Sequence, residues 1–143
     1  MTRRARLDRT RSARTGTALR VGIDLASVTD TARSLERFGE RYLKRLFTAR
    51  EVADCGEAPA QRAARLAARF AAKEAAIKVL RPERWLDWRS IEVVRHARGF
   101  TELALSGEAA AIARRERLEN FAVSLSHEGH YATAVVVASS HEP

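Results

Sequence analysis

The sequence predicts an α+β domain, with helices packed on a largely antiparallel sheet. Three observations carry this. Apolar and small residues alternate over 19–26, an Ala-rich stretch is bounded by Pro59 and Pro82, and the second half holds two pairs of strand-like runs, each folded about a glycine.

Each element follows from local chemistry. Leu19, Val21, Ile23 and Leu25 point one way and Gly22, Asp24 and Ala26 the other, which is the period of a strand. Ser27, with Asp30 three residues on, caps a helix running to about Phe38. Thr48 and Glu51 form a Thr-x-x-Glu capping box that opens a short helix toward Cys55. Pro59 suits the first turn of a helix that reaches Leu80, and Pro82 ends it. Residues 89–95 and 101–105 read as strands joined through Arg98-Gly99, and 107–118 as a helix. Residues 121–126 and 131–138 make a second strand pair around Gly129. The order is β-α-α-α-β-β-α-β-β.

A chain of 143 residues, 45% apolar, supports one compact domain. Its single cysteine, Cys55, excludes an intrachain disulfide and a cysteine-built zinc site. No apolar run approaches bilayer length, and the Arg-rich start lacks the apolar stretch of a secretory signal, so a cytoplasmic protein is expected. The net charge of +8 is unevenly placed. Residues 1–20 hold seven arginines and one acid, which leaves +2 for the other 123. Residues 1–19 therefore read as a disordered Arg-rich extension and 20–140 as the domain. The extension suits a polyanion such as nucleic acid, or is simply solvated; composition leaves both open.

Three segments hold candidate chemistry. In the stretch from Arg69 to Lys78, Phe70, Glu74 and Lys78 share a helix face at i, i+4, i+8. From spacing alone this reads as a surface Glu–Lys pair worth about 0.2–0.5 kcal/mol. Asp24 interrupts a strand of strong β-formers on the face of Gly22 and Ala26. The plain reading is an acid on a solvated sheet face; the functional one is a carboxylate with room for an ion or phosphate. In Val123-Ser124-Leu125-Ser126-His127, Ser124 and Ser126 face away from Val123 and Leu125, and His127 closes the strand. Polar groups there can meet phosphate oxygens. Two runs of cations lie at helical spacing, Arg33, Arg37, Arg41 with Lys44, and Arg62, Arg65, Arg69 with Lys73.

Taken in order, Val21-Gly22-Ile23-Asp24, Phe47-Thr48-x-x-Glu51, Phe70-Ala71-Ala72-Lys73-Glu74-Ala75-x-x-Lys78, Ile91-Glu92-Val93 and Ser124-Leu125-Ser126-His127 resemble the holo-acyl-carrier-protein synthase group of phosphopantetheinyl transferases. The resemblance covers about residues 20–138. It implies the phosphopantetheinyl transferase-like fold and transfer of phosphopantetheine from coenzyme A to a serine of an apo acyl or peptidyl carrier protein, releasing 3′,5′-adenosine bisphosphate. It further implies Mg²⁺ on Asp24 and Glu74, and catalytic roles for Asp24, Glu74 and Lys78. Coenzyme A contacts are implied for Lys73, Lys78, Ser126 and His127. The general base is Glu74, Asp24 or a water on the metal. Arg33, Arg37, Arg41 and Lys44 correspond to the carrier-docking region, and the group commonly forms trimers with coenzyme A at subunit boundaries.

The chain departs from the group's pattern in three places, one of them the Arg-rich extension. Lys78 is followed by Val79-Leu80-Arg81-Pro82 where a Gly-x-Gly turn is usual, so Arg81 or Arg84 supplies charge to the phosphates. Asp30 stands where an arginine is common. The missing glycines keep a second reading in view, a non-catalytic homologue that binds coenzyme A and carrier protein. A basic nucleic-acid-binding module is the third; the domain's +2 and its 6% aromatic content argue against it.

Overall fold

The computed structural model describes residues 16–141. The Arg-rich segment 1–15 lies outside the described residues, as do 142–143. The elements run β1 (Thr17–Ser27), α1 (Val28–Phe38), α2 (Glu40–Leu46), α3 (Ala49–Asp54), α4 (Pro59–Leu80), a single 3₁₀ turn (Trp88–Ser90), β2 (Ile91–Arg95), β3 (Thr101–Leu105), α5 (Gly107–Arg115), β4 (Leu118–Glu128) and β5 (Tyr131–His141). All strand pairs are antiparallel, in a three-stranded sheet ordered β1-β5-β4 and a separate β2-β3 hairpin. No described helix is long and apolar enough to cross a membrane.

Local signals place most boundaries. The Ser27 side chain accepts from the Asp30 backbone N–H at 3.1 Å, and both hydrogen bonds of the Thr48–Glu51 box form. Pro59 opens α4, which ends at Leu80 with Arg81 as a left-handed C-cap.

Several boundaries differ from expectation. Among the described residues four helices, not three, precede β2: the unexpected one is α2, which Gly39, at φ +52°, divides from α1. Helix α5 stops at Arg115 rather than 118, where Arg117 and Asn120 turn to positive φ and a register shift between Glu119 and Ala122 starts β4 early. Strand β1 begins at Thr17, so residues 17–19 belong to the sheet rather than to the extension.

The core is built on α4, whose sheet-facing middle is alanine, with Leu66, Val79 and Leu80 also buried. Ala67, Ala68, Ala71 and Ala72 meet Ala26, Ala132 and Ala134, and Ala75 and Ala76 meet Val136 and Ala138. Small residues on both sides let the helix lie close on the sheet, where dense contact compensates for small side chains. Strand β1 is the exception to apolar-in, polar-out. Leu19, Val21, Ile23 and Leu25 are 61–67% exposed, while Gly22 and Ala26 are buried toward α4. Asp24 shares that inner face, which overturns the reading of Asp24 as an acid on the solvated side.

Candidate active site

Gly22 explains why Asp24 meets the helix. A Cβ at Gly22 would lie 2.0 Å from the Ala75 carbonyl oxygen and 3.2 Å from Lys78 Cβ, so only glycine lets β1 approach α4 this closely. Two residues on, Asp24 faces the next part of the same helix. Its own carbonyl accepts a 2.8 Å hydrogen bond from the Thr133 hydroxyl of β5, which holds the strand there. At the other end of the contact, the Arg20 guanidinium donates to the Val79 carbonyl at 3.1 Å and pairs with Glu116 at 2.7 Å.

The Lys78 ammonium donates to the Ile23 carbonyl at 2.6 Å and to Asp24 Oδ1 at 3.2 Å. Glu74, one turn earlier on the same face, is half-buried. Burial pushes the Glu74 carboxyl above its usual range, the Asp24 charge raises it further, and Lys78 opposes both. The fold thus brings Asp24, Glu74 and Lys78 together from two elements some 50 residues apart.

This electrostatics has a sign that can be checked. The folded state holds the Glu74 proton more tightly than the unfolded chain does. The ionised carboxylate therefore opposes folding above its raised pKa, and the penalty fades as pH falls to the ordinary carboxylate value. In chelator-treated protein Glu74→Gln is expected to raise the melting temperature at pH 7 and to leave it unchanged in acid, read by parallel thermal melts.

The donor set fits Mg²⁺. Two carboxylates converge at a partly open place, an ammonium already sits against one of them, and among the described residues no third acid, His or Cys joins them. A hard cation that keeps several waters and takes further oxygens from a bound phosphate needs no more protein ligands than that.

A cleft of about 290 Å³ lies between β1, α1, α2 and α4, lined by Ala26, Ser27, Thr31, Ser34, Tyr42 and Phe70. Its walls follow Asp24 along β1 and precede Glu74 by one turn of α4. A larger cleft, about 950 Å³, lies between α2–α3 and the start of α5, over Leu43, Phe47 and Val52. It touches Lys44, and neither cleft is lined by Asp24, Glu74 or Lys78; the smaller one comes nearer to them along the chain, through Leu25, Ala26 and Phe70.

The remaining candidates divide. Lys73 is not a coenzyme A contact in this fold: it is fully buried and points away from Glu74. Its ammonium donates to Glu51 Oε1 at 2.7 Å and to the carbonyls of Trp88 and Ile91. Burial pulls its pKa down, and Glu51 opposes this. Arg69 is buried too, so the run Arg62, Arg65, Arg69 and Lys73 is not a solvated stripe. Arg81 is exposed at the end of α4, one turn past Lys78.

Ser126 and His127 are exposed at the end of β4. Strand register aligns Ser126 with Thr133 and Leu25, on the outer sheet face, and His127 with Ala132 and Ala26. Within one chain both lie two strands from β1, and neither is hydrogen-bonded to the Asp24 cluster. Arg33, Arg37, Arg41 and Lys44 are all exposed, but the break at Gly39 splits them between α1 and α2. Arg33 also faces Asp30 at 3.7 Å.

Two working residues were not legible as such. Gly22 looked like room for an ion rather than for a helix, although a glycine inside a strand is the signal of close backbone approach. Glu51 was read as a cap only; nothing near it in sequence announces its ion pair 22 residues away.

Comparison with known proteins gives the family and the fold. The family model of the 4′-phosphopantetheinyl transferase superfamily matches residues 20–136. The chain is 43% identical to a holo-[acyl-carrier-protein] synthase of Chloroflexus aggregans over 131 residues, covering 82% of this chain and 92% of that one. It is 40% identical to the synthase of Gloeobacter violaceus over 118 residues, covering 82% and 89%. Among solved structures, the ACPS–CoA complex of Chronobacterium ammoniagenes superposes with a TM-score of 0.78 at 31% identity, covering 87% of this chain and 99% of that one.

Proposed function

The chain belongs to the 4′-phosphopantetheinyl transferase superfamily, and we propose that Asp24, Glu74 and Lys78 are its catalytic centre. The protein is a holo-acyl-carrier-protein synthase: it moves phosphopantetheine from coenzyme A to a serine of an apo carrier protein and releases 3′,5′-adenosine bisphosphate. The convergence of Asp24 and Glu74 across the Gly22 contact carries the assignment of the centre.

In this reading Asp24 and Glu74 hold Mg²⁺, which supplies charge neutralisation to the pyrophosphate of coenzyme A. The Lys78 ammonium, half exposed, turns from the Ile23 carbonyl to a phosphate oxygen. The carrier serine attacks the phosphorus that bears pantetheine, and its proton passes to a carboxylate. The cleft over Ala26 and Phe70 takes the pantetheine arm, its mouth lying toward α1 and α2. Arg33, Arg37, Arg41 and Lys44 then steer an acidic carrier as two exposed groups rather than one line. Arg81, near the phosphates, takes the place of the glycine turn.

The uncovered row Leu19, Val21, Ile23 and Leu25 supports assembly with other copies, because a monomer seldom leaves so regular an apolar strand face in water, and the trimer is the assembly that the family resemblance implies. Ser126 and His127 then reach coenzyme A across the boundary from the next copy. Light scattering is expected to give three chains per particle, and Val21→Glu/Ile23→Glu to give one; a wild-type monomer contradicts it.

The activity is tested by incubating the protein with Mg²⁺, coenzyme A and a panel of apo carrier proteins and weighing each carrier. One added phosphopantetheine is expected on at least one carrier. No gain on any, from folded protein that still binds coenzyme A, would favour the binding-only reading.

A further inference from the structure

The lysine of the Lys73-Glu74 pair has no route to substrate, yet it is among the most constrained side chains in the molecule. Its ammonium binds Glu51 Oε1 at 2.7 Å, the Trp88 carbonyl at 3.0 Å and the Ile91 carbonyl. Glu51, equally buried, also accepts from the backbone N–H groups of Thr48 at 3.0 Å and Val93 at 3.1 Å. One ion pair therefore ties α4 to the start of α3, to the 3₁₀ turn and to β2.

The packing of α4 makes such a tie consequential. Its sheet-facing side is alanine at 67, 68, 71, 72, 75 and 76, which offers little relief against which a helix could lock its roll. Directional bonds supply what shape does not: Lys78 to the Ile23 carbonyl and Arg20 to the Val79 carbonyl hold the C-terminal end of α4 on β1, and Lys73 ties its middle to α3, the 3₁₀ turn and β2. Glu74 follows Lys73 by about 100° around the helix, so any roll that Lys73 permits is passed to the Glu74 carboxylate. At about 6 Å from the axis, a roll of about 10° moves that carboxylate by about 1 Å. We infer that Lys73 is a positioning residue: the buried Lys73–Glu51 pair sets the roll of α4 and thereby the placement of Glu74 against Asp24. This rests on the reading of Glu74 as a catalytic carboxylate.

Lys73→Met and Glu51→Gln test it, the second keeping an acceptor at the position. Melting temperature, kcat and KM for coenzyme A are measured, with the calorimetric Kd for coenzyme A in the presence of chelator. Displacement by about 1 Å predicts a loss of about a hundredfold in kcat for Lys73→Met. A smaller loss in the same direction is expected for Glu51→Gln, with KM and Kd within about twofold of wild type. A rise of about tenfold in Kd for Lys73→Met alone would put Lys73 on the substrate and overturn the inference. So would wild-type kcat in both variants at a lowered melting temperature, or failure of both to fold, since the pair would then serve the fold alone. Glu74→Gln runs beside them. If it retains transfer, the reading of the site fails and the inference with it; if it is inactive while both pair variants turn over normally, only the inference fails.

Discussion

Asp24→Asn and Glu74→Gln are each expected to reduce transfer by a factor on the order of 10³ without unfolding the protein. Neither carboxylate supports the core: the Asp24 side chain is 20% exposed, Glu74 is half-buried, and the alanines around them make the contacts that hold α4 to the sheet. What each removes is half of a two-carboxylate cation site, which weakens the hold on Mg²⁺ and shifts its position against the pyrophosphate. Lys78→Ala is expected to do less, about tenfold to a hundredfold, with a higher KM for coenzyme A, since one ammonium among several cations is lost. Carrier mass against time gives the rates, and thermal melts beside them show that the fold survives.

Gly22→Ala has a comparable effect by another route. The added methyl would sit 2.0 Å from a backbone oxygen of α4, with no flexible neighbour to yield, so strand and helix must part. Overpacking of this kind costs about 3 kcal/mol or more, here a fall of about 10 °C in melting temperature. Parting also moves Asp24 from Glu74, so activity falls further than stability does. Alanine at Gly99, whose Cβ meets nothing within 4 Å, is the comparison: its cost is confined to backbone strain at φ +92°. Chemical denaturation of both variants with transfer assays separates the two effects.

The elements were legible wherever the signal is local. Ser27, the Thr48–Glu51 box, Pro59 and Pro82 mark helix ends through bonds made or forbidden within four residues. Strand alternation was equally legible, but alternation has no sign. The period of β1 says that Leu19, Val21, Ile23 and Leu25 share a face; it does not say that this face is uncovered within the chain. The end of α1 at Phe38 was legible, but helix α2 beyond Gly39 was not, because it has no side-chain N-cap and only seven residues to show a period.

At the site, Asp24, Glu74 and Lys78 were found by the order of motifs and not by any distance, since the contact spans about 50 residues. Lys73 was misread for a related reason. An alanine helix shows no clear polar face, so a lysine beside Glu74 looked solvent-facing. Its partners, Glu51 and two backbone carbonyls, leave no trace in residue type.

The central claim is that the Asp24–Glu74 pair, joined across Gly22, is the Mg²⁺-dependent centre of transfer. The most direct measurement is the intact mass of an apo carrier after incubation with coenzyme A and wild type or Glu74→Gln, each with Mg²⁺ or with chelator. Addition of one phosphopantetheine by wild type with Mg²⁺, and by none of the other three mixtures, is the predicted result. Undiminished transfer by Glu74→Gln, or by wild type under chelator, would contradict it.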